Sequence, residues 1–214
     1  IPGINDISPV HIHDEPILAD GLVQFAGQPL FAVLAITRAI ARQAAQLAKI
    51  DYQELPAILE IKTALEQQSF VLDSQTMKRG DSQSALAQAS NRLQGQITTG
   101  GQDHFYLEGQ VSMALPKEDG DILILTSSQH PAEIQHLVAQ SLGKPINAVT
   151  VEVRRMGGAF GGKETQAAQW AIIAALMANA SDRPVKIRLD RDDDMRSTGK
   201  RHDFLIRYDV GFDR

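Results

Sequence analysis

The stretch Ile122-Leu123-Ile124-Leu125-Thr126-Ser127-Ser128-Gln129-His130-Pro131 decides how the chain folds. A short apolar run passes through four polar residues into a proline, and Ile134, Leu137, Val138 and Leu142 then recur on one helical face before Gly143. That is a strand, a loop and a helix, with Pro131 at a helix start, where its missing N–H costs nothing, and a glycine as the stop. A second unit follows. Val149-Thr150-Val151-Glu152-Val153 reads as a strand, Met156-Gly157-Gly158-Ala159-Phe160-Gly161-Gly162 as its loop, and about Lys163 to Ala178 as an alanine-rich helix. Successive strand–helix units predict a mixed α/β (α+β) fold. Both loops then sit at the carboxyl end of a strand and the amino end of a helix, where such folds bind ligands.

Upstream, Pro116 to Asp121 is a turn, and Leu93–Thr98 and Tyr106–Leu115 read as long strands joined through Gly100-Gly101. Asp81 or Ser82 caps a short helix through Ala89. The polar stretch Gln67–Ser84 marks the expected boundary between a domain of residues 1–80 and another of 81–214. Within the first, residues 1–20 read as loop, and Leu22–Phe25 and Leu30–Ile36 as strands. A helix runs from Thr37 to near Lys49, followed by extended Ile50–Gln53. At the other end, the alternation Phe204 to Val210 reads as a strand without its partner. With an opening Ile1-Pro2-Gly3 that carries neither initiator Met nor leader, this suggests part of a longer chain.

The 214 residues, 43% hydrophobic and 22% charged, suffice for a sizeable core without covalent staples. The absence of cysteine excludes disulfides, thiolate metal sites, iron–sulfur ligation and a cysteine nucleophile on this chain. Charges of 21 and 26 leave −5, which offers no basic footprint for nucleic acid or anionic lipid. The apolar run Ala167–Ala180 is shorter than the ~20 residues that cross a bilayer and reads as a buried helix.

Four of the 16 glycines fall in Gly157–Gly162. Glycine permits positive φ and close approach of a ligand to main-chain N–H groups, while the same residues also serve a plain strand-to-helix turn. Gly157 to Lys163 matches most of a phosphate-binding loop, but Glu164 stands where a Ser or Thr must ligate magnesium, and its charge repels a triphosphate. Gln129 carries an amide that can donate to an oxo or carbonyl group; as a turn residue it needs no ligand. His11, His13, Asp14 and Glu15 form the densest group of potential metal ligands, without a third ligand at helical or hairpin spacing. Asp190-Arg191-Asp192-Asp193-Asp194 lacks the glycine and closing glutamate of a calcium loop and reads as a solvated, helix-capping turn.

Three ordered stretches taken together resemble one family: Gly100-Gly101-Gln102-Asp103-His104-Phe105-Tyr106-Leu107-Glu108, Ser127-Ser128-Gln129-His130-Pro131, and Arg154-Arg155-Met156-Gly157-Gly158-Ala159-Phe160-Gly161-Gly162-Lys163-Glu164. They are similar to the molybdopterin-binding subunit of the xanthine oxidase family of molybdenum hydroxylases, and Pro184–Phe212 is similar as well. The resemblance spans the chain. It implies a small hammerhead-like α/β domain followed by the first part of the molybdenum-binding domain, inactive on its own. It implies hydroxylation of a heteroaromatic or aldehyde C–H, with oxygen from water and hydride passing to a terminal sulfide. Gln129 would then hold the apical oxo ligand of molybdenum through its amide. Backbone groups of Gly158, Ala159, Phe160 and Gly161 would approach the metal's ligands and the pterin, with Gln129 and Phe160 nearest the metal. Glu164 matches the substrate-facing acid that hydrogen-bonds a purine, and it favours hypoxanthine and xanthine over aldehydes or other N-heterocycles. Ala159 replaces a frequent third glycine yet still offers an N–H. The resemblance further implies a cytoplasmic enzyme with iron–sulfur clusters and FAD on a partner chain, NAD as acceptor there, and an oligomeric assembly. A non-catalytic binding or assembly module is the reading from another class.

Overall fold

The computed structural model describes residues 1–8 and 13–213. They form two compact units, each built from segments distant in sequence: Ile1–Lys49 with Asp103–Lys200, and Ile50–Gln102 with Arg201–Arg214. The boundary expected near residue 80 falls inside the second unit.

The first unit is organised by the strand–loop–helix pair. Strands β2 (Val111–Pro116), β3 (Ile122–Thr126), β4 (Val149–Glu152) and β5 (Val185–Arg188) form one sheet in the order β4-β3-β2-β5. β3 and β4 run parallel, and β2 is antiparallel to both β3 and β5. This mixture matches the fold class expected from the sequence. Helices α4 (Pro131–Leu142) and α5 (Gln166–Ser181) pack on each other and against the sheet. α4 buries Ile134, Val138 and Leu142, and Gly143 ends it at φ 64°, a left-handed position that a glycine fills without strain. α5 has no polar face: alanines at 167, 168, 171, 174, 175 and 178 are all buried, and their small side chains let neighbouring backbones approach from several sides. The buried Gln169 donates from Nε2 to Ile17 O at 2.8 Å, which fastens the amino-terminal segment to α5. Helix α1 (Arg38–Ala45) starts where expected, with Thr37 Oγ1 accepting from Ile40 N–H at 3.2 Å.

The second unit is a ribbon. β1 (Asn91–Thr99) pairs antiparallel with β6 (Phe204–Phe212) along their whole length, from Asn91 opposite Phe212 to Thr99 opposite Phe204. The carboxyl-terminal strand therefore has its partner within the chain, contrary to expectation. α3 (Ser82–Gln88) follows Asp81, whose Oδ1 accepts from Ser84 N–H as anticipated, whereas α2 (Ile61–Glu66) was not foreseen.

Three strand expectations fail for one reason. Leu22–Phe25, Leu30–Ile36 and Ile50–Gln53 carry β-forming residues, but among the described residues no neighbouring strand supplies a ladder, and β-propensity expresses packing on such neighbours. The expected strand from Tyr106 begins only at Val111, and it joins β3 rather than β1. Residues 106–110 spend their hydrogen bonds elsewhere, at the functional site.

Candidate active site

Because β3 and β4 are adjacent and parallel, the loops leaving their carboxyl ends lie side by side. The short loop is Ser127–His130; the long one runs from 153 to 165. Gln129 is exposed and bridges them. Its Oε1 accepts from Gly161 N–H at 3.0 Å and Lys163 N–H at 3.3 Å, while its own N–H donates to Lys163 O at 3.0 Å. With the oxygen fixed by two donors, the amide –NH2 is the end left without an acceptor among the described residues.

The long loop is shaped by its glycines in two ways. Gly158 and Gly161 hold φ of 95° and 92°. Gly157 and Gly162 are needed for contact: a Cβ on the first would stand 2.6 Å from Glu108 Cβ, and on the second 2.6 Å from Tyr106 Cε1. Phe160 also has positive φ, 56°, and leaves its ring 77% exposed, a conformation that a bulky residue adopts only where its surroundings impose it. Gly162 N–H turns back to Ala159 O at 2.9 Å. The N–H groups of Gly158, Ala159 and Phe160 donate to nothing among the described residues. Glu164 is exposed at the loop's end, and its carboxylate takes neither a hydrogen bond nor an ion pair among the described residues.

Beneath the loops lies a polar network whose roles the sequence did not disclose. Lys163 is fully buried, its Nζ 3.0 Å from Glu108 Oε2 and 2.9 Å from Ser127 Oγ. The same Glu108 oxygen accepts from Ser127 Oγ at 2.5 Å and Gly157 N–H at 3.0 Å. Burial raises the Glu108 carboxyl pKa, but these donors and the Lys163 charge outweigh it and hold the group below the ordinary glutamate range. Tyr106, 4.8 Å beneath the Lys163 ammonium, donates to the buried Asp194 at 2.6 Å. Burial and that carboxylate push the Tyr106 hydroxyl well above its usual pKa. Gln110 receives support from both sides, donating from its backbone N–H to Asp194 at 2.5 Å and from Nε2 to Gly162 O at 3.0 Å. Asp194 belongs to helix α6 (Arg191–Ser197), so the acidic tract has one buried structural member as well as solvated ones.

Elsewhere, His13 Nδ1 hydrogen-bonds Asp6 Oδ2 at 2.7 Å, and His11 lies outside the described residues. Among the described residues no three His, Asp or Glu side chains gather as metal ligands, and no helix is long and apolar enough to cross a membrane.

This chemistry fits a molybdenum–pterin group on the donor side. The free donors, namely the Gln129 amide and three consecutive backbone N–H groups, suit oxo and sulfur ligands of an anionic centre, and none of them asks for a side chain to bind the metal directly. The family described as Molybdopterin cofactor-binding domain matches residues 64–214, and that described as Aldehyde oxidase and xanthine dehydrogenase, a/b hammerhead domain matches residues 1–56. The chain belongs to the molybdopterin cofactor-binding domain family, with an aldehyde oxidase and xanthine dehydrogenase hammerhead domain at its amino-terminal end. Within it, the chain is 40% identical over 212 residues to a xanthine dehydrogenase of Dictyostelium discoideum, covering 99% of this chain and 16% of that protein. It is 44% identical over 202 residues to one of Emericella nidulans, covering 94% and 15%. The aldehyde oxidoreductase of Desulfovibrio gigas superposes with a TM-score of 0.86 at 26% identity, over 99% of this chain and 25% of that one. The chain thus spans about one sixth of the length of the curated relatives it matches.

Proposed function

We propose that the two loops form one wall of the molybdenum–pterin site of a purine hydroxylase of the xanthine dehydrogenase kind. The observation that carries this reading is the set of unspent donors on adjacent loops, the Gln129 amide and the N–H groups of Gly158, Ala159 and Phe160, ending at an exposed and unpaired Glu164. When bound, the molybdenum–pterin group supplies the two-electron oxidation of a substrate C–H, with oxygen from water. The chain's own part is to bind and orient. The Gln129 amide would hold an oxo group, the backbone N–H groups of Gly158, Ala159 and Phe160 would hold the group's other anionic and sulfur atoms, and Gly161 N–H keeps Gln129 in place. Glu164 hydrogen-bonds the purine ring and stabilises charge that develops on it in the transition state.

Identity of 40–44% to xanthine dehydrogenases, against 26% to the aldehyde oxidoreductase, supports a purine over an aldehyde. A partner chain carrying iron–sulfur clusters and FAD would take up the electrons, with NAD as the acceptor there, in a cytoplasmic, oligomeric enzyme. A hammerhead-like domain followed by the first part of the molybdenum-binding domain, divided in the polar stretch near residue 80, is the organisation this reading assigns.

In the full-length enzyme, Glu164→Ala should lower kcat/KM for xanthine by about 100-fold, the size seen when one transition-state hydrogen-bonding group is removed. Turnover of an aldehyde should stay within about twofold. Equal loss with both substrates would overturn the purine assignment.

A further inference from the structure

Lys163 is the largest side chain wholly excluded from solvent among the described residues, and the reading above gives it no task. A lysine is an expensive way to fill that volume. Desolvating an ammonium costs several kcal/mol, and a pair made with a carboxylate rarely exceeds what a well-packed apolar side chain of the same size contributes. A methionine would occupy the space; what it could not do is make these contacts.

The contacts are distributed in a telling way. Lys163 Nζ reaches Ser127 Oγ on the short loop and Glu108 Oε2 beneath the long one. Glu108 in turn grips Gly157 twice, its carboxylate accepting from Gly157 N–H and its own N–H donating to Gly157 O at 3.1 Å. Gly157 and Lys163 are therefore the two ends of the loop that carries the free N–H groups, and one carboxylate holds both. The backbone of Lys163 completes the arrangement: its N–H and C=O clasp Gln129, and its C=O also accepts from Ser128 Oγ at 3.2 Å. A single ion pair thus fixes the span of residues 158–162 and their offset from Gln129.

We infer that the Glu108–Lys163 pair is a positioning device, which sets the Gln129 amide and the N–H groups of Gly158, Ala159 and Phe160 in register with one another. The inference rests on the functional reading for what those donors receive. Neither residue touches substrate in this role. Their effect passes through the loop, as outer partners act on the groups they orient, where substitution typically costs 10- to 100-fold.

The test uses the full-length enzyme with Lys163→Met, which keeps volume and removes both side-chain contacts, and Glu108→Gln, which keeps shape and removes the charge. Molybdenum content, the Mo(V) electron paramagnetic resonance spectrum, kcat and KM, and hydrogen exchange by mass spectrometry are measured together. The expected result for Lys163→Met is a kcat lowered about 10- to 100-fold with KM within about twofold. The Mo(V) spectrum should be altered, and amide exchange across 157–163 should quicken by about tenfold or more, with α5 still protected. Exchange that quickens equally in α5 would make the pair a plain stability element and overturn the inference. So would an unchanged spectrum and unchanged loop exchange in a variant that retains its molybdenum. Should Lys163→Met fail to fold, Ser127→Ala, which removes one anchor and leaves the pair, must show the same local signature at smaller size, and its absence is equally fatal. A wild-type enzyme without molybdenum would instead overturn the functional reading itself.

Discussion

The two loops that leave the parallel strands do the same topological job by different means. Ser127–His130 is short, and its turn into α4 is closed by neighbours in sequence: β3 ends at Thr126, α4 begins at Pro131, and Ser128 Oγ accepts from His130 N–H at 2.9 Å, while Ser127, Ser128 and Gln129 bond outward to Glu108 and Lys163. The loop from 153 to 165 has no such economy, and its shape is imposed by side chains distant in sequence, namely Glu108, Tyr106, Gln110 and Gln129. A loop held by remote groups can present a run of unpaired N–H donors, because its conformation does not depend on satisfying them internally.

The contrast is broken most strongly by Gly162→Ala. The added Cβ would meet Tyr106 Cε1 at 2.6 Å and His104 Cγ at 2.9 Å. The Tyr106 ring cannot swing aside, since its hydroxyl is held by Asp194 and by Gln110 Nε2 at 3.0 Å. Urea unfolding of the full-length enzyme should show a loss of about 1–3 kcal/mol, the usual cost of overpacking. A variant as stable as wild type would mean that the loop is not seated on Tyr106.

Next in size is Gln129→Ala, which acts where the two loops meet. It strips the acceptor from Gly161 N–H and Lys163 N–H, so stability should fall by about 1 kcal/mol. If the amide holds an oxo ligand as proposed, the molybdenum electronic spectrum of the folded variant shifts as well. An unchanged spectrum at full metal content would count against that contact.

The same contrast explains what could be read from the chain alone. Pro131, the spaced apolar residues of α4 and Gly143 are local signals, and the helix lies where they put it. Thr37 and Asp81 cap their helices for the same reason. The runs at Leu22–Phe25 and Leu30–Ile36 also carry local signals, yet a strand needs a partner, and none among the described residues adjoins them. β6 is the reverse case: its alternation was legible, but its partner β1 lies more than a hundred residues earlier, beyond the reach of periodicity. At the site, Gln129, Gly158, Ala159, Phe160, Gly161 and Glu164 were reached through a resemblance of motifs. Glu108, Lys163 and Tyr106 stood within those motifs without a role, and Asp194 within a tract read as solvated, because their pairing is set by tertiary contact. A hint was a lysine lodged in the sequence between Gly162 and the approach to the alanine-rich helix α5.

The smallest effect sharpens the comparison from the short loop's side. His130 occupies the N-cap of α4 without a side-chain cap, although Glu133 stands three residues on. Replacing it, His130→Ser, would create a capping box, with the hydroxyl accepting from the Glu133 N–H and the Glu133 carboxylate reaching back to the cap N–H. Two terms oppose the gain. The His130 Nδ1 contact to Glu133 at 3.0 Å is lost, an exposed interaction that contributes about 0–1 kcal/mol. The N–H of His130 already donates to Ser128 Oγ, so only the hydroxyl half of the box is new. A cap of this kind contributes about 1 kcal/mol, leaving a net stabilisation of about 0.5 kcal/mol. That a loop beside the candidate site should accept a stabilising change at His130 follows from the local closure of its turn into α4. If His130→Ser instead destabilises the enzyme, the turn from His130 into α4 is not set locally, and the distinction between the two loops fails.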